Sequence, residues 1–361
     1  MRNRTSFGWF AGVAVLSVAC SESALYGPGG GAGAGGGPGA SSVASGGTAA
    51  SGGEAPATTS SEASSGVGGA PPMLYDPDQD GPYATTEGDA KFTVAATKHE
   101  VPIHYAHPVS GPDAGPFPVV VFGHGFNLPP KQYYSYVRRL ATFGYVARPG
   151  DDPTAFLGNS HVENAKDLIA GLDWASSDPT VAAIADAQNA GASGHSLGGK
   201  LAVLAAAADP RVKASLTLDP VDGATACSLQ DCPDATNLLP LAIPLGFVGE
   251  TTDAAGFQPC APAAVNFATF FTAATAPSLS VEVLGASHMA FLDDMAGCGL
   301  SCNFCQKSQV DSAVVGALSR AMMVAFYERY LKGRVAYDAF LTGAEAQARY
   351  VDTGLAKILA K

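Results

Sequence analysis

Positive charge is scarce in this chain of 361 residues: 20 Lys and Arg stand against 32 Asp and Glu, a formal net charge of −12. No stripe of basic residues interleaved with aromatics occurs, which argues against nucleic acid as a partner. Also missing is an apolar run able to span a bilayer as a mature helix. The run Trp9 to Ala19, interrupted by Ser17, is too short. No internal repeat is present. Histidine is sparse, with seven in all. Large side chains are almost wholly absent from residues 27 to 72, which are built from Gly, Ala, Ser, Thr and Pro. Ordering such a stretch would cost conformational entropy with nothing to bury in return.

The first residues have a different logic. Arg2 and Arg4 precede the short apolar run, which ends in Ser17-Val18-Ala19-Cys20. A basic start, an apolar stretch and small residues make a secretory leader. The ending resembles the lipobox of bacterial lipoproteins, with Leu16 one place ahead of the usual position, and the resemblance implies lipidation at Cys20. The expected organisation is a leader over 1–20, a Gly/Ala/Ser-rich linker over 21–72 and one catalytic domain over 73–361. The implied location is the cell envelope, or the medium if the leader is simply cleaved, with membrane contact only through the N-terminal lipid. Six cysteines follow Cys20, an even number that in an exported chain reads as disulfides. Cys227 and Cys232 are close enough to pair. Cys298, Cys302 and Cys305 offer thiolates to a metal as a rival reading, without an obvious fourth ligand.

From Phe92 onward short β-branched runs alternate with helical patterns, as in a mostly parallel, doubly wound α/β sheet. The apolar run Pro118 to Phe122 before Gly123 reads as a strand buried on both faces. A helix is expected over 131–143, a strand over 144–148 and a helix over 164–175. A weak strand follows at 190–194, then a helix over 197–208 and strands at 214–218, 243–248 and 281–284. A last helix spans 313–331. The pattern runs from about 85 to 340.

Gly194-His195-Ser196-Leu197-Gly198-Gly199 is an instance of G-x-S-x-G between a strand and an Ala/Leu-rich helix. A serine there sits on a sharp turn that exposes its hydroxyl at the carboxyl edge of the sheet. Serine is a poor nucleophile unaided and needs an imidazole within hydrogen-bond reach. In this arrangement the base follows the serine in the chain, and only His288 does. The acid has two main candidates: Asp219, at the end of the strand 214–218, and Asp253, after the strand 243–248. Asp222 is a weaker rival. Backbone amides of Phe126 and Leu197 suit an oxyanion hole. His124 reads as a brace for the loop after Gly123, and His195 as a packing residue. His99, His104, His107 and His161 read as surface or loop residues. Phe126, Phe156, Phe291 and Leu292 are candidates for an apolar acyl site. The chemistry requires no metal and no organic cofactor.

Several segments together resemble the chlorophyllase family and its relatives among lipases and cutinase-like polyester hydrolases. Phe122-Gly123-His124-Gly125-Phe126 is similar to the oxyanion loop, and Gly194 to Lys200 to the nucleophile turn. Leu218-Asp219-Pro220-Val221-Asp222-Gly223 is similar to the family's acid motif. Pro259-Cys260-Ala261-Pro262 and Gly285-Ala286-Ser287-His288-Met289 also match. The resemblance implies an α/β-hydrolase fold, Asp219 as acid, and an ester of a small molecule, lipid or polymer as substrate. Two departures stand out. Leu197 occupies a place where chlorophyllases commonly carry arginine, and Val248 to Asp253 looks like the acid-bearing turn of cutinase-type enzymes. The same residues could serve a thioesterase or amidase, and an inactive surface binding module is the alternative outside enzymes.

Overall fold

A computed structural model describes residues 73–150, 160–223, 227–256 and 259–361. The expected leader over 1–20 with Cys20, the expected linker over 21–72 and Phe156 lie outside the described residues. The first two strands, β1 (Ala84–Thr93) and β2 (Glu100–Ser110), form an antiparallel hairpin. Six strands then run parallel: β3 (Phe117–Gly123), β4 (Val146–Pro149), β5 (Ala185–His195), β6 (Val212–Leu218), β7 (Leu245–Glu250) and β8 (Ser278–Val283). A last strand, β9 (Ala356–Ala360), pairs antiparallel with β8. The order across the 9-stranded sheet is β1-β2-β4-β3-β5-β6-β7-β8-β9.

Parallel strands need crossovers, and here helices supply them on both faces. The main helices are α1 (Tyr134–Thr142), α2 (His161–Ser177), α3 (Leu197–Ala208), α4 (Phe267–Ala273) and α5 (Ser312–Tyr330). Alternation along β3 divides the core. Val120 and Phe122 pack with Val137, Leu140, Met322 and Phe326 of α1 and α5. Val119 and Val121 face the other way, toward Leu168, Leu172, Val203 and Phe270 of α2, α3 and α4. This is the α/β-hydrolase fold, and it presents the loops after β3, β5, β6, β7 and β8 along one edge.

Boundaries differ from the sequence pattern for identifiable reasons. The helix expected from Lys131 begins as a 3-10 turn, Pro130–Tyr133, because consecutive prolines precede it. β5 starts at Ala185 rather than Ala190. Its small residues are required by packing, since a side chain on Gly191 would enter the Tyr327 ring. The sheet also continues past residue 340 to β9, an edge strand whose five residues are too few to show a clear alternation.

Three histidines read as surface or loop residues are instead partnered within or beside the hairpin. His99 Nδ1 is 2.6 Å from Asp167. His104 lies between Asp89 and Glu87, each at 2.9 Å, and stacks on Tyr134. His107 is buried and bonds the Pro108 carbonyl. His161 opens α2 half-buried, and burial with the nearby Lys200 charge pushes it down to about 4. The six cysteines pair as Cys227–Cys232, Cys260–Cys305 and Cys298–Cys302. The three cysteines weighed as metal ligands are therefore all bonded to sulfur.

Candidate active site

Ser196 sits between β5 and α3 with φ 57° and ψ −121°. For a residue with a Cβ this is a strained conformation, and its surroundings must hold it. Glycines make that possible. A Cβ on Gly194 would run into the Gly198 carbonyl, and one on Gly198 into the carbonyls of Gly123 and His124. The turn is clamped from the next loop as well: Ser196 N–H donates to Leu218 O at 3.0 Å, and Val221 N–H to Ser196 O at 3.2 Å.

His288 follows β8 at the start of a 3-10 turn, His288–Phe291. Its Nε2 is 2.8 Å from Ser196 Oγ, and its Nδ1 is 2.6 Å from Asp219 Oδ2. An ionised carboxylate only accepts, so Nδ1 carries the proton and Nε2 accepts from the serine hydroxyl. Asp219 itself has φ 39° and is wholly buried. Its neighbour Asp222 points elsewhere, to Lys200 Nζ at 2.5 Å, a buried ion pair between α3 and the loop after β6. Burial pushes the Asp222 carboxyl up to about 6, and Asp234 pushes it the same way, against Lys200.

Asp253, the other candidate acid, does not touch the imidazole. Its Oδ2 accepts the His288 backbone N–H at 2.9 Å and its Oδ1 accepts the Gln306 N–H at 2.8 Å. Glu250 Oε2 in turn accepts the Asp253 N–H at 2.8 Å and the Thr252 N–H at 2.5 Å.

The loop after β3 carries Phe126. The Gly125 carbonyl accepts from the Leu128 N–H at 3.0 Å and meets His124 Nδ1 at 2.9 Å. In a trans peptide the N–H points opposite to the carbonyl, so holding the Gly125 oxygen also aims the Phe126 amide. Leu197 N–H is the first of the orphan donors at the N-terminus of α3.

A chlorophyllase family model matches residues 79–349. The chain belongs to the chlorophyllase family. It is 30% identical to Chlorophyllase-1 of Arabidopsis thaliana over 259 residues, covering 62% of this chain and 75% of that protein. It is 25% identical to Chlorophyllase-2 of the same plant over 248 residues, 61% of this chain and 76% of that one. Chlorophyllase-family proteins are α/β-hydrolase esterases, which sets the reaction class at that coarse level.

In this member of the chlorophyllase family three buried carboxyls surround one imidazole. Burial pulls the His288 pKa down, but the Asp219 hydrogen bond and the charges of Asp219, Glu250 and Asp253 outweigh it, and the net direction is up. Burial and repulsion from Asp253 likewise raise Asp219, against the pull of His288. Glu250 is pushed up to about 7, by burial first and by Asp219 next.

A cleft of about 350 Å³ opens over Ser196, lined by Phe126, Leu128, His288, Met289, Phe304 and the Cys260–Cys305 disulfide, among others. Phe291 and Leu292, read as acyl-site candidates, are instead buried in the core. The 3-10 turn at 288–291 places Met289 in the cleft while burying Phe291. Sequence reasoning also passed over Lys200, Glu250, Tyr133 and Phe304. Lys200 stands inside the nucleophile motif and Glu250 inside the turn Val248 to Asp253, where both could have been found; Tyr133 and Phe304 carry no local signal.

Proposed function

We propose that the protein hydrolyses carboxylic esters through an acyl-enzyme, with Ser196 as nucleophile, His288 as base and Asp219 as the acid that orients it. The observation that carries the reading is the unbroken line Ser196 Oγ to His288 Nε2 at 2.8 Å and His288 Nδ1 to Asp219 at 2.6 Å. His288 takes the serine proton as Oγ attacks the ester carbonyl. The resulting oxyanion is held by the amides of Phe126 and Leu197. The tetrahedral intermediate collapses as His288 returns the proton to the leaving alcohol. Water, deprotonated by the same imidazole, then frees the acid and restores Ser196. Asp219 fixes the tautomer and stabilises the imidazolium in both halves. The relatives are named chlorophyllases, and Leu197 beside the nucleophile favours an apolar ester here.

Export and tethering complete the proposal: a leader over 1–20, a lipid on Cys20 and a linker over 21–72 would hold the domain off an envelope. Metabolic labelling with palmitate, lost in Cys20→Ala, tests that part. Activity is tested by hydrolysis of p-nitrophenyl esters from acetate to palmitate and by fluorophosphonate labelling, beside Ser196→Ala. Turnover and labelling that vanish in Ser196→Ala uphold the reading. A folded wild type inert to both overturns it, and the domain is then a binding module.

A further inference from the structure

His195 stands next to the nucleophile, yet its ring is wholly buried and faces away from the cleft. Its Nε2 lies 2.8 Å from the backbone oxygen of His288. Its Nδ1 lies 2.8 Å from the Tyr133 hydroxyl, which accepts the Gly125 N–H at 3.2 Å. Donor and acceptor capacity fixes every proton in this line. A carbonyl only accepts, so His195 Nε2 bears the hydrogen. The neutral ring then offers Nδ1 as an acceptor, so the Tyr133 O–H donates to it, leaving the phenol oxygen to receive the Gly125 amide. Neutrality is favoured independently, because burial and the adjacent His288 hold the His195 pKa well below the usual range.

The line therefore joins the loop bearing Phe126 to the backbone of the general base through two buried side chains. Ester hydrolysis develops charge in two places at once, on the oxyanion and on His288, and both partners must keep one relative placement. We infer that Tyr133 and His195 are positioning residues that lock the oxyanion loop to His288, an assignment that rests on the catalytic reading of Ser196 and His288. Neither touches substrate. A Cβ on Gly125 would stand 3.1 Å from both His195 Nδ1 and the Tyr133 hydroxyl, so the loop has little room to shift without breaking the line.

The test uses the full chain and four variants. Tyr133→Phe deletes only the hydroxyl, His195→Asn keeps an acceptor near Nδ1, and His195→Gln keeps a donor near Nε2. Tyr133→Phe combined with His195→Asn completes a double-mutant cycle. Breaking the line at either residue is expected to lower kcat on p-nitrophenyl butyrate about tenfold. KM should stay within about twofold, since ground-state binding is untouched. Affinity for a boronic acid, which forms a tetrahedral adduct on Ser196, should fall by the same factor as kcat. The double variant should be no worse than either single one. A merely structural role would lower the unfolding temperature while leaving kcat and boronate affinity of the folded protein intact, and that result overturns the inference. Losses that multiply in the double variant overturn it too. Where Tyr133→Phe fails to fold, the two His195 variants decide by the same readouts. If Ser196→Ala keeps its turnover the catalytic reading fails; if Ser196→Ala is inert and the other variants are unaffected, only the positioning role falls.

Discussion

Asp253 accepts the backbone N–H of His288 at 2.9 Å, while the imidazole of the same residue turns to Asp219 at 2.6 Å. Two carboxylates thus hold one histidine by different groups, and removing each should have a different signature. Asp219→Asn presents an amide N–H to Nδ1 and favours the wrong tautomer, so kcat should fall by about 10³ to 10⁴. Asp253→Asn leaves the ring's partner in place but can satisfy only one of the two backbone donors. Its main cost should be stability, about 1–3 kcal/mol for a buried donor left unpaired, with a smaller loss of kcat. Steady-state kinetics beside thermal unfolding separates them. Equal kcat losses would contradict the assignment.

The acid cluster makes a prediction about pH. Under the proposed mechanism His288 acts as base only when neutral, so its raised pKa should set the acidic limb of the rate profile. Glu250→Gln removes a carboxylate that favours the imidazolium, so the limb should move to lower pH. Stability should move oppositely with pH in the wild type. Glu250 is raised from 4.5 to about 7 on folding, so the native state binds its proton more tightly than the unfolded chain. Stability from this group is then lost as pH rises from about 4.5 to about 7, and the variant should show a flatter dependence. A pH–rate profile and unfolding temperatures across that window check both parts. An unmoved limb would show that Glu250 is electrically remote from the base.

Much of this site is legible in the sequence because it rests on local rules. The apolar run of β3, the glycines around Ser196, and a lone histidine downstream of it each follow from backbone chemistry or chain order. What is hidden depends on register and long-range packing. Asp89 and His104 stand opposite each other only because β1 pairs with β2 in that register. Asp219 and Asp253 both follow strands at the same sheet edge, and spacing alone cannot say which one meets an imidazole and which a backbone amide. The weak β propensity around Gly191 is a consequence of Tyr327 packing from another face. Cys260 and Cys305, 45 positions apart, are joined by the fold alone.

That disulfide yields a third prediction. It closes a loop of 45 residues beside Gln306, whose amide is gripped by Asp253. Constraining such a loop in the unfolded chain is worth about 4 kcal/mol in the entropic model. Cys260→Ser with Cys305→Ser should lower the denaturation midpoint accordingly, and kcat should also fall because the segment that anchors Asp253 loosens. Denaturant titration and kinetics, with and without a reductant, check this. Full activity in a destabilised double variant would mean that Asp253 keeps its hold without the crosslink.

The mouth of the cleft gives the last prediction. Phe126 and Phe304 are 42% and 72% exposed, on different segments of its lining. Large aromatics in contact with water beside the proposed nucleophile are a cost to the free protein that a bulky apolar substrate would recover on binding. Covering roughly 60 Å² of the Phe304 ring at about 25 cal/mol per Å² is worth about 1.5 kcal/mol, close to tenfold in affinity. Phe304→Ala should therefore raise KM about tenfold for esters whose acyl group is long or polycyclic, with the p-nitrophenyl leaving group held constant. It should leave p-nitrophenyl acetate nearly unchanged, because an acetyl group is too small to reach from Ser196 to the rim. Phe126→Ala keeps the backbone amide proposed to hold the oxyanion, so it too should act on KM for bulky esters rather than on kcat for small ones. KM series for acetate, octanoate and a polycyclic ester in both variants decide the matter. Loss of kcat on acetate in Phe126→Ala would mean that its ring fixes the loop. An unchanged KM for every ester in Phe304→Ala would mean that substrate leaves by another side of the cleft.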